Sequence, residues 1–434
     1  MKYFSLNRRT PSTTFENAVV RGLAPDKGLY FPEHITPLLD SFFDSIENKS
    51  NSEIAFESIK QFVGNEIPES ELKTIVEDTL SFDFPVVELN ANISTLELFH
   101  GPTMAFKDVG ARFMARCLGY FNKNNSRRVT ILVATSGDTG GAVANGFLGV
   151  KGVDIVILYP SGKVSDIQEK QLTTLGQNIT ALEFDGVFDD CQDMVKQAFV
   201  DEELTIKMQL TSANSINIAR WLPQLFYFLF AYKQLKSKNK NIVFSVPSGN
   251  FGNICAGMVA QKLGLPIHHF IASNNENNVV TLYLKTEMYD PKPSVQTISN
   301  AMDVGNPSNF IRIKELYNSN FEALKKNLSS YSFTDHETSA AISEIYANYN
   351  YIADPHGAVG YLGAKAHLKN NPNDHIVFLE TAHPTKFLDV VENVIKTKVD
   401  LPEQIKSIID KRKVSIRISN YQDLKQFLLN KTDN

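Results

Sequence analysis

The stretch RVTILVATSGDTGGAVANGFLGV (128–150) decides the fold class. Its first part, Val129 to Ala134, is apolar at every position but Thr130 and rich in β-branched residues. Such a run suits a strand buried on both faces, as in a parallel sheet, better than a half-exposed one. Its middle, Thr135 to Gly141, is polar and glycine-rich, and its end reads as a helix. The same pattern returns in NIVFSVPSGNFGNICAGMVAQKLG (241–264). TLELF (95–99), VDIVILYP (153–160), NITALEF (178–184), IHHFIAS (267–273) and HIVFLE (375–380) supply further strands. Helical segments separate many of them, as parallel crossovers require. The chain is therefore read as α/β with parallel sheets. Residues 1–88 read as a mostly helical region, with TTFENAVVRGLA, SEIAFESIKQFVGN and PESELKTIVEDTL as its helices. Residues 399–434 offer one strand, KVSIRIS, and a helical end.

Composition narrows the function classes. With 434 residues the chain exceeds one ordinary core, and 43% hydrophobic with 21% charged residues describes a globular protein. A net charge of −5 favours neither nucleic acid nor an acidic membrane as partner. MKYFSLNRRT lacks an apolar core, so a signal peptide is not expected, and the apolar run LPQLFYFLFAY (222–232) is too short to span a bilayer. The 3 cysteines, Cys117, Cys191 and Cys255, lie far apart and read as free core thiols of a cytoplasmic protein. The 9 histidines show no metal-ligand spacing, so no metal is expected.

Four features carry chemistry. In HGPTMAFKDVGARFMARCLGY (100–120), Lys107 falls where a loop becomes an amphipathic helix. The first turn of a helix carries partial positive charge, an unfavourable place for an ammonium. An uncharged lysine amine is nucleophilic and forms Schiff bases. The other reading is a lysine that extends into solvent or pairs with Asp108. Two glycine loops, Thr135–Gly140 and Ser248–Asn253, each open a helix and each suit a phosphate or carboxylate. Either loop alone also arises from strand–helix packing. A polar cluster, Asn214, Ser215, Asn217 and Arg220, is expected at a helix start, with Asn217 and Arg220 three apart on one face. Its alternative is a helix cap beside a solvated face. Lys163, after the strand at 153–160, has the same ambiguity. Together, a Schiff-base lysine, two anion cradles and an Asn/Arg cluster fit pyridoxal phosphate plus a substrate with a carboxylate and a second phosphate.

HGPTMAFKD (100–108), TSGDTG (135–140), PSGKVSDIQEKQL (160–172), NSINIARWLPQ (214–224), PSGNFGN (247–253) and ETAHPTKF (380–387) together resemble threonine synthases of the long form. TTFENAVVRGLAPDKGLYFPE (13–33) is similar too, so the resemblance covers nearly the whole chain. It implies a two-lobed fold type II pyridoxal-phosphate core at 89–392, with 1–88 before it and a C-terminal extension, 393–434, packed on it. It implies conversion of O-phospho-L-homoserine and water to L-threonine and phosphate, with a monomer favoured. By the resemblance, Lys107 is the cofactor's lysine and the catalytic base. Ser248, Gly249, Asn250, Phe251, Gly252 and Asn253 cradle the cofactor phosphate. Thr381 meets the pyridine nitrogen, and Asp138 lies near the cofactor hydroxyl or the substrate. Many relatives in the wider fold have Asn where Asp138 stands. Thr135, Ser136, Gly137, Thr139 and Gly140 take the substrate carboxylate. Lys163, Asn214, Ser215, Asn217 and Arg220 take its phosphate. Thr385 stands where an alanine is expected. A dehydratase of the same cofactor class would share Lys107 and SGNFGN without needing the Asn214–Arg220 cluster. A non-catalytic phosphate-binding module would have no use for Lys107.

Overall fold

A computed structural model describes residues 1–123 and 128–432. The chain forms two compact units, and neither is continuous in sequence. One consists of Met1, Phe31–Phe106 and Trp221–Asp400, the other of Lys2–Tyr30, Lys107–Arg220 and Leu401–Asn434. The expected segments 1–88, 89–392 and 393–434 are divisions along the chain. In space the N-terminal segment is shared between the two units, and residues 401 onward join the second.

The first unit is built on a six-stranded sheet in the order Leu328–Ser332, His269–Asn274, Ile242–Pro247, His375–Glu380, Ile93–Glu97, Val86–Asn90. All neighbours are parallel except the last pair, an antiparallel hairpin. Ile242–Pro247 and His375–Glu380 are buried at every position, as continuous apolar runs demand. The helices Asn51–Val63 and Glu69–Thr79 belong to this unit. Ser50 and Glu53 form a capping box at the start of the former, which stops the chain from fraying there.

The second unit has a fully parallel sheet in the order Ile416–Ile418, Ile179–Phe184, Val153–Pro160, Val129–Ala134, Gln209–Thr211. Leu132, Val156, Leu158 and Leu182 meet Met194, Leu204, Leu424 and Leu428 in one core. The predicted strands all form, and KVSIRIS supplies the edge strand Ile416–Ile418. The strands Val86–Asn90, Gln209–Thr211 and Leu328–Ser332 were not expected. Gln209–Thr211 has 3 residues and Leu328–Ser332 is LSSYS, so neither carries a strong periodic signal.

The C-terminal edge strand is tied by a carboxylate. Glu183 is 4% exposed and accepts from Ser161 Oγ at 2.7 Å and Ser415 Oγ at 2.9 Å, and Lys413 Nζ lies 2.9 Å from it. Burial alone would raise its pKa, but the Lys413, Ser161 and Ser415 hydrogen bonds outweigh burial and bring it down to about 2. A carboxylate depressed in the folded state adds stability above its unfolded value, and that stability is lost as pH falls toward the folded one. Glu183→Gln should therefore cost roughly 1–3 kcal/mol near neutral pH. The gap to wild type should close as pH falls from about 4.5 toward 2. Thermal unfolding across that range checks it.

Candidate functional site

Three neighbouring strands of the first unit end at one edge of the sheet. Ile376 pairs with Ile93 and with Val243, and this register runs through Glu380 opposite Glu97. Continuing it puts Thr381 level with Ser248. The loop leading to Lys107 leaves the third of these strands. In parallel sheets, ligand-binding loops collect at the carboxyl ends of strands, and these loops carry half of the predicted site.

The loop ahead of Lys107 is stitched to the Thr381 loop. Phe106 N donates to Thr381 O at 2.8 Å, His383 N donates to Met104 O at 3.0 Å, and Ala105 bridges Ala382. Lys386, only 1% exposed, donates from Nζ to Thr103 O at 2.9 Å, and Tyr227 Oη donates to Phe106 O. Two segments far apart in sequence, 103–106 and 381–386, thus form one antiparallel unit directly before Lys107. Tyr227 and Lys386 were not predicted; a buried lysine is legible only once burial is known. Thr385, the departure from the expected alanine, has a hydroxyl 2.8 Å from His383 Nδ1, and the same nitrogen accepts from Thr385 N at 3.2 Å. A nitrogen accepting from a backbone N–H carries no proton, so the hydroxyl donates to it. Burial brings His383 down to about 4, against the raising pull of Glu97.

The Ser248–Asn253 loop opens the helix Gly252–Lys262. Phe251 turns the chain with φ of +61° and packs on Phe310. Ser248 is already committed: its N–H goes to Ser273 O at 2.9 Å and its hydroxyl to Val246 O at 2.8 Å. Asn250 Oδ1 accepts from Ser308 N at 2.6 Å. Asn253 differs: both polar atoms of its amide are buried with no partner among the described residues. A buried amide without partners costs free energy unless a ligand supplies them. At the start of a helix, beside N–H groups that have no intrahelical acceptor, that ligand is an anion. The cradle therefore fits a phosphate through the Asn253 Nδ2 donor and the first helical turn. A Cβ on Gly249 would lie 2.6 Å from Met302 Cα, so the 300–302 turn packs directly on the loop.

In the second unit Lys107 opens the helix Lys107–Phe121, as predicted, and is half-buried. Gly110, one turn on, lets this helix pass over Arg220: a Cβ there would sit 2.4 Å from Arg220 O. The other glycine loop is organised from within. Thr135 Oγ1 accepts from Gly137 N at 3.0 Å and Gly140 N at 2.9 Å. Those two N–H groups are thus spent inside the loop, while Ser136 and Thr139 are half-buried at its rim. Asp138 begins the helix Asp138–Phe147 and accepts from Gln168 Nε2 at 2.9 Å. Gln168 lies within the PSGKVSDIQEKQL stretch, but its role could not be read from spacing.

The Asn/Arg cluster departs from its expected geometry. Asn217 and Arg220 do not share a helix face, because the helix is only Ile218–Trp221 and Asn217 precedes it. Asn217 is fully buried: Oδ1 accepts from Ala219 N at 3.0 Å, and Nδ2 donates to Val19 O at 2.8 Å and Ser212 O at 3.4 Å. It is a cap and a tie to the N-terminal segment, and its amide is consumed by backbone. Arg220 is 3% exposed and donates from Nη1 to Ala213 O. Asn214 and Ser215 are half-buried, and Asn214 Oδ1 is itself buried with no hydrogen-bond partner among the described residues. Lys163 is exposed on the turn after Val153–Pro160. A groove of about 790 Å³ lies elsewhere, among Leu38, Phe42, Phe56, Lys60 and Lys73, and holds none of the predicted residues. Among the described residues no cluster of His, Cys, Asp and Glu could hold a metal, and no helix is long and apolar enough to cross a membrane.

Comparison with known proteins adds an independent line. The family model described as pyridoxal-phosphate dependent enzyme matches residues 83–382. Threonine synthase N-terminus and C-terminal models match 2–80 and 357–428. A threonine synthase of Buchnera aphidicola from Baizongia pistaciae is 43% identical, with 99% of this chain and 100% of the relative covered. The crystal structure of threonine synthase from Escherichia coli is 40% identical, with a TM-score of 0.93 over 99% of this chain and 100% of that one. A structure described as PLP-bound threonine synthase from Brucella melitensis is 34% identical, with a TM-score of 0.93 and 100% of each chain covered. Replacing Gly249 by Ala should push the 300–302 turn away and weaken retention of pyridoxal phosphate. Equilibrium dialysis followed by absorbance checks this, and excess cofactor should restore occupancy.

Proposed function

The chain belongs to the threonine synthase family of pyridoxal-phosphate-dependent enzymes, and on that premise we propose how its own residues carry out the reaction. The reaction is O-phospho-L-homoserine plus water to L-threonine plus phosphate. When bound, pyridoxal phosphate supplies an electron sink for the pair left when the substrate loses its α-proton.

The observation that carries the reading is the pairing of 104–106 with 381–383, which joins the loop before Lys107 to Thr381. Lys107 holds the cofactor through its Nζ, and once released it takes the α-proton and returns protons later. Thr381 offers the ring nitrogen a neutral hydroxyl, which unlike a carboxylate does not require that nitrogen to be protonated. Asn253 and the backbone of Gly249–Gly252 hold the cofactor phosphate, with Ser248, Asn250 and Phe251 shaping the loop. Ser136 and Thr139 receive the substrate carboxylate, on a frame that Thr135, Gly137 and Gly140 set. Asp138, oriented by Gln168, accepts a hydrogen bond near the cofactor or substrate. Arg220, Asn214, Ser215 and Lys163 bind the substrate phosphate and take up charge as it leaves. Asn217 acts in this cluster as a positioning residue. The half-buried setting of Asn214 and Ser215 supports a polar ligand there. A cytoplasmic monomer completes the proposal; the buried thiols Cys117, Cys191 and Cys255 suit a reducing compartment.

Borohydride reduction of the loaded enzyme should fix the label on the peptide containing Lys107, and Lys107→Ala should lose turnover by several orders of magnitude. Label on Lys163 or Lys386 would reject the assignment. Arg220→Ala tests the phosphate cluster. A hydrogen bond to a charged group contributes about 1.5–3 kcal/mol, and about 1.4 kcal/mol is tenfold. kcat/KM for phosphohomoserine should thus fall roughly ten- to over a hundredfold, and the loss for a substrate without phosphate, such as serine, should be smaller. Equal losses for both substrates would place Arg220 at the shared carboxylate or in the fold and reject the phosphate site.

A further inference from the structure

Behind Thr381 lies a buried acidic pair that the proposed mechanism does not use. Glu380 and Asp354 are both fully enclosed, and their carboxyl groups meet at the same stretch of backbone, where Asp354 N donates to Glu380 Oε2 and Gly357 lies against both carboxyls. Asp354 is committed as an acceptor. Its Oδ1 accepts from His356 N at 2.8 Å and lies 2.5 Å from His356 Nδ1, and its Oδ2 accepts from Gly357 N at 3.4 Å. His356 Nε2 in turn accepts from Ala301 N at 3.2 Å. An imidazole that accepts at Nε2 is neutral, with its proton on Nδ1, so His356 brings no positive charge to the pair.

Glu380 Oε2 accepts from Asp354 N at 3.3 Å, and Oε1 has no partner among the described residues. Gly357 makes room for that oxygen: a Cβ there would sit 1.9 Å from it. The other ionisable groups facing the pair are Glu97, Tyr351 and His383. Glu97 is itself held by Tyr351 Oη at 2.9 Å and His100 Nε2 at 2.7 Å. Two enclosed carboxyl groups in contact, with no cation on them, do not both ionise. Burial first, then the Asp354 charge, pushes Glu380 well above the ordinary carboxyl range.

We propose that Glu380 is a positioning residue, a neutral carboxylic acid that donates its proton to Asp354. It thereby ties the strand end bearing Thr381 to the Asp354–His356–Ala301 chain behind Gly249. The inference rests on the reading of Thr381 and the Ser248–Asn253 loop as the cofactor's ring and phosphate contacts. One shared proton would then hold both walls at a constant spacing.

The test compares wild type, Glu380→Gln and Glu380→Leu. Cofactor affinity is measured by equilibrium dialysis against pyridoxal phosphate, and thermal unfolding from pH 5 to 8 without cofactor. Gln keeps a donor toward Asp354, so its Kd should stay within about threefold of wild type. Leu leaves Asp354 without that donor and should weaken binding by at least about tenfold. A carboxyl raised in the folded state adds stability that is full below its unfolded value of about 4.3 and is lost as pH rises toward the folded one. Gln does not titrate, so the Tm of Glu380→Gln relative to wild type should climb from pH 5 to 8. A flat difference, or a Gln variant that binds cofactor as poorly as Leu, overturns the proposal. If the Leu variant does not fold, the Gln comparison decides. A wild type that takes up no pyridoxal phosphate overturns the site reading, and the pH dependence then still decides the shared proton.

Discussion

Parallel pairing of three buried strands, Ile93–Glu97, His375–Glu380 and Ile242–Pro247, is the constraint on which the first unit's site elements depend. The side chains of the two inner strands are apolar at nearly every position and enclosed on both faces. A slip by one residue would exchange the side chains packed on the two faces, and close packing on both faces does not tolerate that exchange, so the register is held. With the register set, Ser248 and Thr381 emerge level, and the loop from Glu97 passes beside Thr381. Backbone pairing of 104–106 with 381–383 then needs no special side chains. The chemistry is delivered by main-chain geometry, with Lys386 and Tyr227 closing the loop's remaining carbonyls.

Polar residues in these loops divide into those spent on the fold and those left for a ligand. Thr135, Asn217 and Ser248 bind backbone atoms of their own neighbourhoods. A buried polar atom usually finds such a partner, because leaving it without one costs more than a single hydrogen bond returns. Among the described residues, the Asn253 amide and Asn214 Oδ1 are two such exceptions within the predicted set. The distinction matters chemically. Residues of the first kind determine where backbone donors point; of the second kind, the enclosed Asn253 N–H is the group whose penalty an anion would relieve.

Much of this was legible in the chain. Largely apolar runs such as VTILVA and HIVFLE announce parallel strands, and a glycine turn followed by a helix announces an anion cradle. Lys107 at a helix start was equally readable. The Asn217 and Arg220 reading failed for a local reason. Helical spacing does not extend across a residue that caps the helix, where the backbone has not yet entered the helical turn. Gln168, Lys386 and the Asp354–Glu380 pair escaped because nothing in their spacing differs from that of ordinary surface residues.

The sequence by itself determined the α/β class, the strands, the two glycine loops and the lysine, because each follows from side-chain periodicity and backbone preference within a few residues. Tertiary structure alone decided which carbonyl meets which amide and which polar atoms are enclosed. It also decided how residues 1–88 are shared between the units and how Leu401 onward joins the second. Those outcomes depend on burial, and burial is set by residues hundreds of positions apart: Lys386 on Thr103, Asn217 on Val19. No short-range pattern encodes such a pairing, since the free energy that selects it exists only once both segments have left water.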